Sequence, residues 1–191
     1  MRLALSFGIV LLLSSAVFAT PIVYVTTLDG LSEFPTNASP GTGSATVIID
    51  TTTHTLSIDV VFADLLAPNT AAHIHCCTAV PGTGTAAVAT TTPTFTGFPT
   101  GTTSGSYFNV FDLTQLSSWN PTFITNHGGT PASAEADFAA GLAAGEAYFN
   151  IHSQVFPGGE IRGFLTPAVP EPATILLLGS ALAGLAARRR S

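Results

Sequence analysis

Four side chains that bind transition metals lie in the short stretch from His73 to Cys77. In an extended strand, successive side chains point to opposite faces, so His73, His75 and Cys77 share one face. Imidazole and thiolate groups are preferred ligands of copper and zinc. The spacing predicts a metal site in which His152 joins the first two histidines from a neighbouring strand. Cys77 or His127 is the candidate fourth ligand.

The same three histidines also fit a structural role. Half-buried imidazoles that bond to backbone groups or carboxylates form a polar clasp between strands without any metal. The two interpretations differ in geometry, because a metal requires nitrogen atoms that converge on one point at about 2 Å. The sequence leaves both open.

The adjacent pair Cys76 and Cys77 contains the only cysteines of the chain, so an intrachain disulfide between distant positions is excluded. Three alternatives remain, namely a vicinal disulfide, a free or metal-bound thiol, and a disulfide to another chain. A regular strand points the two side chains apart. A vicinal disulfide therefore requires the strand to end at this point.

Glu160 and Arg162 lie two residues apart and share a face if their segment is a strand. Arg162 is the only arginine between residues 20 and 166, and the chain has no lysine. We expect Arg162 to form a structural ion pair with Glu160 or to bond loop carbonyls. A role in guiding anions is the alternative.

The region from residue 20 to residue 166 is acidic, since its ten carboxylates and single arginine give a net charge of −9. Such a surface cannot neutralise a phosphate backbone, and nucleic acid is excluded as a partner. No nucleophile elbow or phosphate-binding glycine loop is present in the sequence. The composition and motifs therefore favour a protein that is not an enzyme.

Short alternating segments rich in threonine, valine and isoleucine predict an all-β fold, an antiparallel β-sandwich of Greek-key, immunoglobulin-like or superoxide dismutase-like type. The predicted strands cover residues 22–28, 44–50, 55–62, 71–77, 85–89, 104–111, 147–152 and 160–165. One short helix is expected from Ser133 to Ala144, capped by Ser133 and ended by Gly145. Residues 120–130 are expected to be a loop because they contain Asn-Pro and Gly-Gly pairs.

Residues 1–19 are typical of a secretory signal peptide. One arginine and an apolar run precede small residues, and the predicted cleavage falls between Ala19 and Thr20. The alternative is an uncleaved membrane anchor, which the shortness of the apolar run disfavours. The sequence therefore predicts export into an oxidising compartment.

The C-terminal segment, residues 167–191, has three parts. Pro170, Glu171 and Pro172 precede fifteen small or apolar residues, and an arginine cluster at residues 188–190 follows. This tail resembles the PEP-CTERM sorting signal of Gram-negative bacteria that produce exopolysaccharide. The resemblance implies recognition by an exosortase, transient membrane insertion of a short transmembrane helix, and delivery to the cell envelope, outer surface or extracellular matrix.

Residues 20–166 resemble the CHRD domain, named after chordin, across almost its whole length. The matching segments occur in the family's order and are Leu31 to Pro35, Gly43 to Thr46, Thr55 to Ile58, Ala71 to His75, Tyr148 to His152 and Pro157 to Gly163. Two departures are visible: Cys76-Cys77 replaces a glycine and proline turn, and residues 108–138 form a longer insertion. The resemblance implies ligand binding and a β-sandwich.

The His-x-His pattern, the later histidine and the Gly-Gly-x-x-Arg turn are also locally similar to copper and zinc superoxide dismutases. The full ligand set of those enzymes cannot be matched, so the likeness does not predict catalysis. We expect an exported, non-enzymatic binding or structural protein whose partner is exopolysaccharide or another surface protein. The alternative function is a copper-binding or zinc-binding or redox protein that uses His73, His75 and His152.

Overall fold

The computed structural model describes residues 21–168. It contains eight β-strands, two α-helices and a single turn of 3₁₀ helix at Leu116–Ser118. In chain order the strands and helices are β1 (Ile22–Asp29), β2 (Thr42–Asp50), β3 (Thr55–Ala63), β4 (Asn69–His75), β5 (Gly105–Asp112), α1 (Pro121–Asn126), α2 (Pro131–Ala144), β6 (Tyr148–Ser153), β7 (Ile161–Phe164) and β8 (Thr166–Pro167).

The strands form one antiparallel sheet in the order β4-β6-β7-β1-β2-β3-β5, and β8 pairs with β1. The sheet curls, so that the side chain of Phe95 contacts strands near both ends of the sheet. The ring of Phe95 lies 5.7 Å from that of Phe149 on β6 and 5.5 Å from that of Phe111 on β5. The prediction of a mostly β, antiparallel, sandwich-like fold is confirmed, and the one predicted helix corresponds to α2.

Strands β2 and β3 follow the alternation that the sequence predicts. Alternate residues are buried in the core, namely Ala45, Val47 and Ile49 on β2 and Leu56, Ile58, Val60 and Phe62 on β3. The side chain of Asp50 accepts hydrogen bonds from the backbone N–H groups of Thr52 and Thr53, which closes the connection between these strands. Strands β4 and β6 differ, since nearly every residue in them is buried.

The helical region between β5 and β6 departs from the prediction in two ways. Helix α2 begins at Pro131 with Thr130 as its cap, and Ser133 is the reciprocal partner in a capping box. The segment 120–130, predicted to be a loop, contains α1, which Asn120 caps and Pro121 begins. An Asn-Pro pair marks a turn, but it also fits the cap and first position of a helix.

The segment predicted as a strand over residues 85–89 is not a strand. It runs beside β4, where Val88 makes an isolated bridge to His75 and the backbone N–H of Ala89 donates to the carbonyl of Ile74, at 3.0 Å. The predicted C-terminal end of helix α2 is correct, because Gly145 adopts a left-handed conformation with φ of 73°. Glycine tolerates that conformation without steric cost.

Several sequence-based predictions concern residues outside the described range. They are the signal cleavage between Ala19 and Thr20, the sorting motif at residues 170–172 and the short transmembrane helix. Among residues 21–168, no helix is long and apolar enough to cross a membrane.

Candidate metal centre

Strands β4 and β6 bring the three predicted histidines to one face of the sheet. Their antiparallel register places His73 opposite Asn150 and Ala71 opposite His152. Since alternate residues share a face, His75 joins His73 on β4, and His152 lies beside them on β6. The imidazole rings lie 5.2 to 5.8 Å apart, measured between ring centroids.

One nitrogen atom from each ring converges on a common region. The three potential ligand atoms all lie within 4.8 Å of one another. Three atoms so placed have a common point no more than about 2.8 Å from each, while metal to imidazole bonds are about 2.0–2.1 Å long. Small side-chain rotations therefore bring the set to bonding distance.

The other nitrogen of each ring is bonded to a backbone carbonyl. His73 Nε2, His75 Nδ1 and His152 Nδ1 lie at 2.5, 2.9 and 3.0 Å from the carbonyl oxygens of three residues, Pro93, Ala86 and Pro157 respectively. Because a carbonyl only accepts, each of these ring nitrogens carries the proton and donates it. The opposite nitrogen then presents a lone pair.

These lone-pair nitrogens are buried. Within residues 21–168, the atoms His73 Nδ1, His75 Nε2 and His152 Nε2 have no hydrogen-bond partner. Leaving a buried polar atom unsatisfied costs about 1–3 kcal/mol. Metal-binding histidines show the same pattern, in which one ring nitrogen bonds to a backbone carbonyl and the other to the ion.

Burial also keeps the imidazoles neutral. Loss of hydration lowers the pKa of His73 and of His75 to about 4, and the carbonyl bonds offset this only in part. Burial likewise lowers the pKa of His152. Neutral imidazole is the form that binds a metal, so these histidines hold the required form at neutral pH.

The candidate fourth ligands lie elsewhere. Cys77 is joined to Cys76 by a disulfide, so its sulfur is not a thiolate in this structure. His127 lies on the helical side of the molecule, where its Nδ1 is 2.9 Å from a carboxylate oxygen of Asp137 and its ring stacks on Phe123. The histidine cluster thus offers three candidate ligands from the described residues.

A second layer of side chains supports His75. The ring of Tyr148 stacks on His75 with centroids 4.8 Å apart and planes within 5° of parallel. Tyr148 also bonds Ala86, the residue whose carbonyl accepts from His75. The guanidinium of Arg162 lies 4.7 Å from the centre of the Tyr148 ring on the same face.

Arg162 joins three parts of the chain. Its guanidinium donates to the carbonyls of Ser32 and Gly84, and its Nε lies 3.8 Å from a carboxylate oxygen of Glu33. Since Gly84 is two residues before Ala86, Arg162 fixes the segment that orients His75. Burial raises the pKa of Glu33 to about 7, because it outweighs the attraction of Arg162 and a backbone N–H bond.

Of the two roles predicted for Arg162, the structure shows the bonds to loop carbonyls and, among the described residues, no ion pair with Glu160. Glu160 instead accepts hydrogen bonds from the Ser39 hydroxyl and the Leu66 backbone N–H, both at 2.6 Å. Glu160 lies in the bend before β7, so the alternation of a regular strand does not apply to it. The carboxylate beside Arg162 comes from Glu33, far away in the sequence.

Sequence reasoning missed three residues of this centre, namely Glu33, Tyr148 and Asn150. Tyr148 and Asn150 alternate with His152 on β6, so the strand pattern could have placed all three side chains on one face. Asn150 is 2% exposed and lies between His73 and Arg162 in the strand register. Glu33 lies in the segment Leu31 to Pro35 that matches the CHRD domain, but nothing local in the sequence marks its contact with Arg162, which is 129 positions away.

Comparison with known proteins identifies two regions. The model of the CHRD domain family matches residues 24–165, which is well over half of the chain. The model of the PEP-CTERM protein-sorting motif matches residues 168–190, and this motif implies processing by an exosortase and export to the cell envelope or surface. No curated protein and no solved structure matches the chain. The resemblances to the CHRD domain and to the PEP-CTERM sorting signal are confirmed.

Proposed function

The chain belongs to the CHRD domain family, and we propose that its domain binds one copper or zinc ion through His73, His75 and His152 at the cell surface. Three neutral imidazoles suit both metals. The observation that carries the proposal combines two features of the three histidine rings, the closeness of their nitrogen atoms and the backbone carbonyl that each ring bonds. Each ring donates a hydrogen bond to a backbone carbonyl through one nitrogen, and the three residues offer nitrogen atoms that lie within 4.8 Å of one another.

A purely structural clasp explains these contacts less well. A clasp uses both ring nitrogens, whereas one nitrogen of each ring is buried without a partner among the described residues. Three such acceptors side by side call for a common partner, since a buried polar group without a hydrogen bond costs free energy. A bound cation removes this cost for all three at once.

The role we propose is binding rather than catalysis. The ligand nitrogens are shielded from solvent, which favours retention of an ion over exchange of substrates. The acidic domain surface attracts cations toward the site. We also predict a further partner for the domain, either exopolysaccharide or a surface protein.

The decisive experiment measures metal content by mass spectrometry on the protein purified without a histidine tag. We expect about one equivalent of copper or zinc per chain after loading and dialysis. A His73→Ala/His75→Ala double variant should hold none. The single variant His152→Ala, at a more exposed position, should also lose the ion while its circular dichroism spectrum stays that of the parent.

The matched control is His54→Ala/His127→Ala, which removes two histidines outside the cluster. This variant should keep the full equivalent. A folded parent that binds no metal after loading would overturn the proposal, as would equal losses in the control and cluster variants. Superoxide dismutation by the loaded parent would replace binding with redox catalysis as the function.

A further inference from the structure

Two clefts lie beside Glu33 and Phe34, in the loop that follows β1. The larger has a volume of about 430 Å³ and is bounded by this loop, by residues 82–83 and by β7. The smaller has a volume of about 240 Å³ and is bounded by the same loop and by residues 155–159. Because Glu33 and Phe34 line both clefts, the two adjoin along one elongated depression, which we call the Phe34 groove.

The floor of the groove is formed by two charged side chains that are almost completely covered. Glu33 is 5% exposed and Arg162 is 3% exposed, and both line the larger cleft. The Nε and Nη1 atoms of Arg162 donate to the carbonyls of Ser32 and Gly84, which leaves Nη2 as the donor for a ligand. Within residues 21–168, the Oε1 atom of Glu33 has no hydrogen-bond partner. The floor therefore offers a ligand both a donor and an acceptor.

The walls of the larger cleft combine hydroxyl groups with aromatic rings. Four of its lining residues carry a hydroxyl group, namely Thr26, Thr27, Ser32 and Thr83. The rings of Phe34 and Phe164 also line it, and Phe34 is 63% exposed although it is a large apolar side chain. Sugars match this combination, because their hydroxyl groups bond to polar side chains while the C–H faces of their rings pack on aromatic rings.

We propose that the Phe34 groove binds a linear chain of neutral sugars. A chain can place successive rings in the two clefts and cross Phe34 between them, whereas a single sugar fills only one cleft. The charge of −9 over residues 20–166 repels polyanions, so a neutral chain fits better than an acidic one. This inference goes beyond the metal centre and does not depend on it. Of the two further partners predicted for the domain, it selects the polysaccharide.

The walls of the groove are fixed by hydrogen bonds that need no ligand. Asn37 holds the loop after β1, since its backbone N–H donates to the carbonyl of Gly30 at 2.9 Å and its side chain donates to the carbonyl of Glu160 at 3.0 Å. On the opposite walls, the backbone N–H of Gly159 bonds the carbonyl of Phe156 at 3.0 Å, and that of Gly82 bonds the carbonyl of Gly145 at 2.9 Å. A preformed groove loses little conformational freedom on binding, which favours affinity.

The test titrates the full-length protein, labelled with nitrogen-15, with neutral hexasaccharides of glucose, mannose or galactose. Nuclear magnetic resonance then records which backbone amide signals shift. We expect at least one of these probes to bind saturably and to shift the signals of residues 31–34 and 82–83. The corresponding monosaccharide should bind about tenfold more weakly, because it contacts only one cleft. Hexagalacturonate, an acidic chain of the same length, should also bind about tenfold more weakly.

Two variants test the groove directly. Phe34→Ala removes the ring that both clefts share, so it should weaken binding of the neutral hexasaccharide about tenfold. Thr83→Val replaces a hydroxyl group at the wall by a methyl group of similar size, and we expect a loss of about fivefold. Phe108→Ala is the matched control, since that ring is 66% exposed but lies on β5, away from the groove. It should bind the probe as the parent does.

Three results would overturn the inference. The first is a folded parent that binds none of the neutral hexasaccharides. The second is binding that shifts signals elsewhere, or that neither Phe34→Ala nor Thr83→Val weakens. The third is tighter binding of hexagalacturonate than of any neutral probe, which would assign the groove to anions held by Arg162. None of these results involves a metal, so the proposed metal centre is judged separately by the metal content of the protein.

Discussion

The two faces of strands β4, β6 and β7 are both buried, but they are closed in different ways. One face belongs to the apolar core and carries Ala72, Ile74, Phe149, Ile151 and Ile161. The other face carries His73, His75, Tyr148, Asn150, His152 and Arg162. Apolar groups need only contact and exclusion of water, whereas each polar group on the second face needs a specific partner.

One short segment of sheet thus combines an apolar face that stabilises the fold with a polar face that carries the candidate metal ligands. Loops cover the polar face and provide backbone carbonyls at Pro93, Ala86 and Pro157. The second nitrogen of each of these histidine rings has no hydrogen-bond partner among the described residues. The apolar face fixes the strands that hold these atoms in place, so the precision of the centre depends on packing behind it.

The largest effect is expected on the apolar face. Phe149→Ala removes a fully buried ring that packs on Phe95, so the free energy of unfolding should fall by about 3–5 kcal/mol. Urea denaturation monitored by circular dichroism measures the change. Phe108→Ala is the control, since that ring on β5 is 66% exposed and its loss should change stability by less than about 0.5 kcal/mol. Equal losses would contradict the division of the sheet into two faces.

Arg162→Met tests the polar face and should have the next largest effect. It leaves Glu33 buried without its cation and two carbonyls without their donor, at a cost of about 3 kcal/mol. The same variant should weaken metal binding about tenfold, because the segment that orients His75 loses its anchor. Isothermal titration with zinc measures that loss.

The double variant Glu33→Gln/Arg162→Met is the matched control. It removes both charges, so it should recover part of the stability that Arg162→Met loses. No recovery would show that the carbonyl bonds of Arg162, rather than its charge, support this face.

The alternation of apolar residues was enough to predict most strands and the antiparallel fold. Periodicity and the His-x-His spacing also placed His73, His75 and His152 together as ligand candidates, because strand geometry is regular. The partners of those histidines could not be predicted. They are backbone carbonyls of irregular loops, and any residue type supplies a carbonyl.

The sequence was least informative where contacts join distant positions. The pairing of Glu33 with Arg162 depends on how the loop after β1 folds over β7, and alternation within one strand says nothing about this. The start of helix α2 was misplaced for a local reason. Thr130 and Ser133 both fit a cap, and their reciprocal bonds decide between them.

The pH dependence of stability should distinguish the two faces further. The folded protein without metal keeps His73 and His75 neutral down to a pKa of about 4, whereas the unfolded chain protonates them near 6.5. Their contribution is therefore complete above pH 6.5 and is lost as the pH falls toward 4. Chemical denaturation at several pH values should show this decline in the parent, and a flatter profile in His73→Ala/His75→Ala.

Glu33 should act in the opposite direction, with the smallest effect of the series. Its pKa is about 7 in the folded protein and near 4.5 when unfolded, so its contribution falls as the pH rises between these values. Glu33→Gln removes this opposing contribution. We expect the variant to gain stability more steeply than the parent from pH 4.5 to 7, and an unchanged slope would show that Glu33 is ionised throughout.

The pairing of β8 with β1 has a mechanical consequence. Residues 24 and 25 face Pro167 and Thr166 in that pairing, and the backbone N–H of Ala168 donates to the carbonyl of Val23. Tension applied through the C-terminal tail would load this short exposed strand first and peel it away one hydrogen bond at a time. Strand β1 stays paired with β2 along its whole length, so β8 would detach before the force reached the strands that carry the histidines.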